Sequence, residues 1–224
     1  GPDAAAKPPN SGAAKRQSRL ARFGREGPPQ ARRFMIGLAG VLMQSPPLRV
    51  RAVYLDPRDI GRSVALGGVG LFARYRPRPI VGLDLDIRSG SVRYRRDDAD
   101  VSVSQDQVLA ELGALLYLGR GDVAQFALSG GVGGMYNLVR YDAFKQTGRQ
   151  VFGSALLRVG AEAEFLLKRV AIVLSFRTYG VMTPRGNVRN SGAVLDTASA
   201  EARRAPVASF STMLLGSAGI AYRF

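Results

Sequence analysis

The sequence has no cysteine, no histidine and no tryptophan among its 224 residues. Without cysteine it forms no disulfide and offers no thiolate for catalysis or metal binding. Without histidine it lacks the commonest general base, the Ser–His and Cys–His nucleophile pairs, and the commonest transition-metal ligand. We therefore expect a non-enzymatic protein, and we predict no catalytic residue, no metal ligand and no cofactor.

An apolar run that would form a membrane helix is also missing. The longest uncharged stretch, residues 205–222, approaches the ~20 residues that a transmembrane helix needs. It contains Pro206, Gly216 and Gly219, however, and its apolar residues alternate with small or polar ones. A period of two residues predicts a β-strand there.

Negative charge is scarce, with 17 Asp and Glu against 32 Lys and Arg and a net charge of +15. Such a balance predicts anionic partners, although a genome that favours arginine codons explains it equally well. The basic residues are not interleaved with stacking aromatics on one face, so we do not expect nucleic acid as a partner. Lipid phosphates and acidic polysaccharide fit better.

Residues 1–33 differ in composition from the rest of the chain. They are rich in Ala, Pro, Gly, Lys and Arg, so they cannot bury a core and are predicted to form a flexible basic segment. Part of it can also form a short amphipathic helix on a partner or a lipid surface, although a solvated tail is the simpler interpretation. The candidate contact residues are Arg16, Arg19, Leu20, Arg22 and Phe23.

Residues 34–224 contain eight segments in which apolar residues alternate with small or polar ones. In the third segment Leu83 and Leu85 alternate with Asp84 and Asp86. This period predicts eight strands. They are expected at residues 34–43, 63–75, 80–94, 103–118, 123–139, 151–167, 170–180 and 210–224.

The connections between these segments alternate in length. Residues 76–79, 119–122 and 168–169 are short turns, whereas residues 44–62, 91–102, 140–150 and 181–207 are predicted to be long loops. Short turns on one rim and long loops on the other are typical of outer-membrane barrels. With an even number of strands, both termini lie on the short-turn rim.

Alternation alone does not decide which face of a barrel is outside, since a soluble lipocalin-like barrel places its apolar face inside. Strands of this length and a polar face crowded with Gly favour an apolar face against lipid. Aromatic residues near the strand ends suggest interfacial girdles. We place Phe34, Tyr75, Phe126, Phe165, Tyr222 and Phe224 at one rim, and Tyr136, Tyr141, Phe152, Phe176, Tyr179 and Phe210 nearer the other.

The polar face then points into the lumen and carries charges of both signs. The expected lumen residues are Arg74, Asp84, Asp86, Arg88, Glu111, Arg158, Glu162, Glu164, Lys168, Arg177 and Arg223. Unpaired charges are costly in so narrow a space, so these groups should pair and plug the lumen. The alternative is a narrow ion path. Glycines such as those in residues 130–134 are expected to relieve crowding rather than to bind phosphate.

The eight alternating segments, the unequal loops and the terminal Tyr222-Arg223-Phe224 resemble the small outer-membrane barrels of the OmpA and OmpX type. The resemblance covers residues 34–224. It implies an all-β, eight-stranded antiparallel up-and-down transmembrane β-barrel of the Gram-negative outer membrane, with periplasmic termini. It also implies that the barrel assembly machinery reads Ile220, Tyr222 and Phe224, although Phe224 is equally an interface anchor. Enzymes of this architecture depend on a histidine, so their activities do not carry over.

From these features we expect a structural or interaction role, with extracellular loops and a place in a larger cell-envelope complex. The expected partners are outer-membrane lipid and lipopolysaccharide, the barrel assembly machinery, and an envelope protein bound through the tail or the loops. Two other functions fit the same alternation: a small pore or channel, and a soluble lipocalin-like barrel that binds a ligand. In the second loop, Asp97, Asp98 and Asp100 are expected to pair with neighbouring arginines.

Overall fold

The computed structural model describes residues 33–44, 65–96, 100–184, 186–196 and 209–224. In these residues the chain forms nine strands and one helical turn. They are β1 (Phe34–Gln44), β2 (Ala65–Arg78), β3 (Val81–Arg96), β4 (Val101–Arg120), β5 (Ala124–Ala143), β6 (Gln146–Leu167), β7 (Val170–Thr183), β8 (Arg189–Ser191), α1 (Ala193–Asp196) and β9 (Ser209–Arg223). None of the helices among these residues is both long and apolar enough to cross a membrane.

The eight long strands close into a ring in which every neighbour is antiparallel. Consecutive strands pair from β1 to β7, and β9 then pairs with both β7 and β1. The closing pair runs in register from Met35 opposite Arg223 to Met43 opposite Leu215. The predicted eight-stranded up-and-down barrel is confirmed. The short β8 adds only to β6, through Arg149 opposite Ser191.

The outer surface of the ring is apolar, and its inner surface carries buried charged residues beside apolar ones. Leu38, Val69 and Leu112 are 60% or more exposed, while Asp84 and Arg88 are at most 2% exposed. This arrangement is the reverse of a soluble barrel, which buries its apolar face. So large a continuous apolar surface is stable where hydrocarbon is the solvent.

The interior combines apolar clusters with buried charged residues. Met35 and Phe72 belong to an apolar cluster near the short-turn rim. Leu109 and Met213 belong to a second apolar cluster farther along the barrel. Buried charge reaches the level of the first cluster, where Arg74 is directly opposite Met35. Because the strands close into a ring at this level, they satisfy their backbone groups internally, as a bilayer requires.

We call the apolar outer surface of the ring, which ends at Leu138 on β5, the apolar belt. Beyond it, strands β3 to β6 continue as two long hairpins, which we call the hairpin extension (residues 91–96, 101–106, 139–143 and 146–150). Here the inward residues Val103, Val139 and Tyr141 are buried with Val194 of α1. The outward positions are polar, Arg140 among them. The same strands therefore have an apolar outer face in the belt and a mainly apolar inner face in the extension, where Gln105 and Gln150 are also buried. This change is expected where water replaces lipid as the solvent.

Two of the predicted long loops are wrong because of this extension. The strands β5 and β6 replace most of residues 140–150, and they are joined by a tight turn at Phe144 and Lys145, whose φ angles are +52° and +65°. Two consecutive positive φ angles are typical of the type I′ turn of a β-hairpin. Strands β3 and β4 likewise occupy most of residues 91–102. Most of residues 44–62 and part of residues 181–207 lie outside the described residues.

Three aromatic residues assigned to a girdle point inward instead: Tyr141, Tyr179 and Phe152, which packs against the apolar cluster of the hairpin extension. Tyr141 and Tyr179 are 1% and 0% exposed. Tyr179 donates a hydrogen bond from its hydroxyl to Glu111 at 3.2 Å, so it serves the polar interior. Tyr136 and Phe210 do point outward, at 47% and 70% exposure. Successive side chains of a strand point to opposite faces, so an odd or even position along the strand, and not aromatic character, determines whether a residue faces the lumen or the lipid.

Candidate functional site

Ten charged residues meet in the lumen and form what we call the lumen cluster. Five are carboxylates and five are arginines, so the formal charges balance. The carboxylates are Asp84, Asp86, Glu111, Glu162 and Glu164. The arginines are Arg74, Arg76, Arg88, Arg158 and Arg177.

Arg158 of β6 crosses the lumen to β3. Its Nη1 and Nη2 atoms each lie 2.9 Å from one carboxylate oxygen of Asp84, in a two-pronged ion pair whose side chains are both fully buried. Its Nη1 is also 3.0 Å from Glu111 of β4. A paired and multiply bonded arginine is the form in which a buried guanidinium is stable.

Arg177 of β7 is the most connected member of the cluster. It donates to Asp86 at 2.7 Å and to Glu162 at 2.8 Å, and it also contacts Glu111. Asp86 in turn accepts both prongs of Arg88, each at 2.7 Å. The guanidinium groups of β3 and β7 therefore share one carboxylate, which couples opposite walls of the barrel.

The half of the cluster nearer the short-turn rim is organised around Glu164. This carboxylate accepts hydrogen bonds from Arg74 at 2.7 Å, from Arg76 at 3.1 Å and from the hydroxyl of Tyr117 at 2.7 Å. Arg74 also contacts Glu162. The guanidinium of Arg76 lies over the Tyr117 ring, 3.6 Å from its centroid, which is a cation–π geometry.

Arg76 was missing from the predicted lumen residues. The sequence pattern ended the second strand at residue 75 and placed Arg76 in the turn, whereas β2 continues to Arg78. Its side chain is 18% exposed and its Nη1 donates to Gln125 at 2.7 Å. Its even position, shared with Phe72 and Arg74, is the signal that identifies it as inward-facing.

Glycines on the inner wall leave the space that the guanidinium groups occupy. A Cβ on Gly131 would lie 3.2 Å from Nη2 of Arg158 and 2.5 Å from the carbonyl oxygen of Leu112. A Cβ on Gly113 would lie 2.7 Å from Oδ1 of Asp84, and one on Gly160 would lie 3.0 Å from Cγ of Arg177. Within the glycine-rich segment 130–134, Gly131 and Gly133 thus face the lumen, whereas Val132 is 60% exposed on the outer face.

The lumen cluster joins five strands and has no member positioned as an isolated acid or base. Every carboxylate in it faces at least one guanidinium at ion-pair distance. Across the described ranges, no group of three or more His, Cys, Asp or Glu is arranged to hold a metal ion. Such a network can bind the walls together and fill the lumen.

Two further basic residues assigned to the lumen are not in the cluster. Lys168 lies in the turn between β6 and β7, with a φ of +55°, and is exposed, so its assignment to the lumen is wrong. The strand ends one residue earlier, at Leu167, which removes Lys168 from the alternation. Arg223 is half-buried at the end of β9, and its backbone N–H donates to the carbonyl of Arg169 at 2.8 Å.

The three residues of the proposed assembly signal share the outward face of β9. Ile220, Tyr222 and Phe224 are 65%, 42% and 58% exposed. The rings of Tyr222 and Phe224 meet edge to face with centroids 4.9 Å apart, and Phe224 lies 6.0 Å from Phe34. The backbone N–H of Phe224 donates to the carbonyl of Phe34 at 2.9 Å, which ties the chain end to β1. They form an aromatic patch at the seam of the barrel.

The remaining candidate residues belong to the segment before the barrel. Arg16, Arg19, Leu20, Arg22 and Phe23 lie outside the described residues. In the second predicted loop, Asp97 and Asp98 are also outside them, while Asp100 lies 3.9 Å from Arg95 in an exposed ion pair.

No protein-family model matches the chain, and no curated protein matches its sequence. Among solved structures the barrel is similar to that of Ail, the attachment invasion locus protein of Yersinia pestis. The TM-score is 0.53 at 12% identity, over 86% of this chain and 99% of that one. A major outer membrane protein from Thermus thermophilus matches with a TM-score of 0.50 at 13% identity, over 84% of this chain and 99% of the other. The fold is therefore that of small outer-membrane barrels.

Proposed function

We propose that this protein is a non-enzymatic β-barrel of the bacterial outer membrane, with a plugged lumen and a structural or interaction role performed by its rims. The observation that carries the proposal is the lumen cluster, in which five carboxylates and five arginines pair across a closed ring. The interior of an eight-stranded barrel is just wide enough for side chains to fill. Paired charges in that space block a conduit.

The apolar belt supports a place in a membrane. Along the outward face of β5, Phe126 and Leu138 are twelve residues apart. At ~3.4 Å per residue and a tilt of ~45°, this distance corresponds to a height of about 30 Å, close to the thickness of the hydrocarbon core of a bilayer. Outer-membrane barrels carry an apolar band of similar height.

The unequal rims support an orientation. By analogy with outer-membrane barrels, the short turns face the periplasm and the hairpin extension faces the cell exterior. Both ends of the barrel, Arg33 and Phe224, then lie on the periplasmic side. We assign to the basic segment 1–33, which precedes the barrel in the sequence, the binding of an envelope protein of a larger envelope complex. The aromatic patch of Ile220, Tyr222 and Phe224 is the surface we assign to the barrel assembly machinery.

Single-channel recording in planar bilayers tests the plugged lumen. We expect the purified barrel to insert without steady ohmic current steps, because the lumen cluster occupies the path. Steady ohmic steps in the unmodified protein would identify it as a small pore instead. A chain that stays monodisperse in buffer without detergent would identify it as a soluble lipocalin-like barrel.

Cysteine labelling tests the orientation without interference, since the chain contains no cysteine. Lys145→Cys and Lys168→Cys form a matched pair, because both residues are exposed and lie in hairpin turns with positive φ at opposite rims. We expect an impermeant maleimide to label Lys145→Cys on intact cells and Lys168→Cys only after the outer membrane is opened. The reverse pattern would contradict the orientation.

A further inference from the structure

The hairpin extension carries a row of arginines on its outward face, directly beyond the apolar belt. Arg93 of β3 is opposite Ser104 of β4, which is opposite Arg140 of β5, which is opposite Arg149 of β6. Arg93, Arg140 and Arg149 are all exposed. With strands ~4.8 Å apart, the row extends about 14 Å across the sheet. We call these three residues the arginine row.

The arginine row lines a cleft of about 430 Å³ on this face. Ser104 and Thr147 also line it and contribute hydroxyl groups, while Asp142 is its one acidic lining residue among those described. The cleft thus combines guanidinium and hydroxyl donors, which is the chemistry that binds phosphate groups.

Two of the three arginines lack an acidic partner among the described residues. Arg140 pairs with Asp106 at 2.7 Å, in a contact that is about half exposed on both sides. In the part of the chain that the structure describes, Arg93 and Arg149 form no ion pair. Arg140 and Arg149 are directly opposite each other on neighbouring strands, which is an unfavourable arrangement for like charges. An anion bound between them would relieve this repulsion.

The position of the row along the strands indicates where that anion comes from. On β5 the outward positions run from Phe126 through Tyr136 and Leu138 to Arg140. Tyr136 has the aromatic character of residues at a membrane–water interface. Arg140 is the next outward position after the apolar belt ends, so its guanidinium lies at the level of lipid headgroups. A soluble polyanion has no reason to prefer this height over the tip of the extension.

We propose that the arginine row binds the phosphate groups of glycolipid headgroups in the outer leaflet. The inference rests on the proposed function, because the row faces that leaflet only in the orientation given above. Each Arg near a charged membrane surface contributes about 1 kcal/mol to binding. Arg93 and Arg149 together thus correspond to about a thirtyfold difference in lipid affinity.

The test is a titration of the detergent-solubilised barrel with lipid A, and with dephosphorylated lipid A, in micelles of a neutral detergent, with bound lipid counted by native mass spectrometry. We expect the double variant Arg93→Gln/Arg149→Gln to bind lipid A about thirtyfold more weakly than the unmodified barrel. The control is Arg78→Gln/Arg169→Gln, which removes two exposed charges at the short-turn rim and should bind as the unmodified barrel does.

Several outcomes would overturn the lipid site. One is that the two double variants bind lipid A equally well. Another is that the unmodified barrel binds lipid A equally well with and without its phosphates. A third is that it binds a sulfated polysaccharide or inorganic phosphate more tightly than lipid A. Insertion into neutral phosphatidylcholine vesicles is measured in parallel. If all variants insert but lipid A binding does not depend on the arginine row, the lipid site is wrong and the proposed membrane barrel stands. If the unmodified barrel does not insert, the proposed membrane barrel itself is contradicted.

Discussion

Removing the Arg158 guanidinium should destabilise the barrel severely, and removing its partner as well should restore much of the loss. Arg158 and Asp84 are both fully buried and are joined by two contacts of 2.9 Å. In Arg158→Met the volume is largely kept, but the lumen cluster has five carboxylates against four arginines. Breaking a buried pair from one side costs about 3–5 kcal/mol, because a buried charge is left uncompensated.

The double variant Arg158→Met/Asp84→Asn keeps the cluster neutral, with four charges of each sign. We therefore expect its free energy of unfolding to be higher than that of Arg158→Met alone, with a coupling energy of about 2 kcal/mol or more between the two positions. The measurement is urea unfolding in detergent micelles or lipid vesicles, followed by far-ultraviolet circular dichroism. Heat-modified mobility in gels provides a second reading of the folded fraction.

The exposed pair of Arg140 and Asp106 is the matched control. Its contact is 2.7 Å, as short as those of the lumen, but its side chains are 56% and 42% exposed. The same cycle, Arg140→Met with Asp106→Asn, should give a coupling energy of about 0–1 kcal/mol because water and salt screen exposed pairs. Equal coupling energies for the buried and the exposed pair would refute the reasoning, as would a loss of less than about 1 kcal/mol in Arg158→Met.

Three further predictions use the same unfolding assay or an assembly assay. Gly131→Ala should lower the free energy of unfolding by about 1–3 kcal/mol because the added methyl crowds the lumen. Gly216→Ala is the control: nothing lies within 4 Å of its added Cβ, so its loss should be less than half as large. Equal losses would contradict the space-filling role. Leu85→Arg in the apolar belt should lower the free energy of unfolding in lipid vesicles by about 2–4 kcal/mol, whereas Ser91→Arg beyond the belt should lower it by about 0–1 kcal/mol. A reversed order would contradict the lipid-facing surface. Deleting Phe224 should slow folding by the assembly machinery in reconstituted vesicles more than spontaneous folding in detergent; equal slowing would reduce Phe224 to an interface anchor.

The strands could be located from the sequence because the alternation is strong within the apolar belt. There every outward residue is apolar or small, and a charged residue such as Asp86 stands at an inward position. In the hairpin extension, the predicted strand ends are wrong at the positions where this rule changes. On β5 the outward residues become polar at Arg140, while the inward residues Val139 and Tyr141 become apolar. Because the apolar and polar faces exchange at this point, the alternation predicts that the strand ends and a loop begins.

The pairing within the lumen was not predictable from the sequence. Parity indicates that Arg177 and Glu111 both face inward, but not that they meet, because β4 and β7 are not neighbours in the ring. That contact depends on the diameter of the barrel and the stagger of its strands. Arg76 is missing for a different reason: the predicted strand ends at residue 75, three residues before the end of β2, which places this inward side chain in a turn.

The charged interior also has a physical role in selecting the register of the strands. With hydrocarbon outside, a purely apolar lumen would make the two faces of each strand nearly equivalent, and pairing shifted by one residue would cost little. A shift of one residue turns every side chain to the opposite face. For β3 it would place Asp84, Asp86 and Arg88 against lipid and leave their partners unpaired, at about 2–4 kcal/mol for an arginine near the midplane alone. We infer that the lumen cluster selects the register mainly by penalising the alternative pairings.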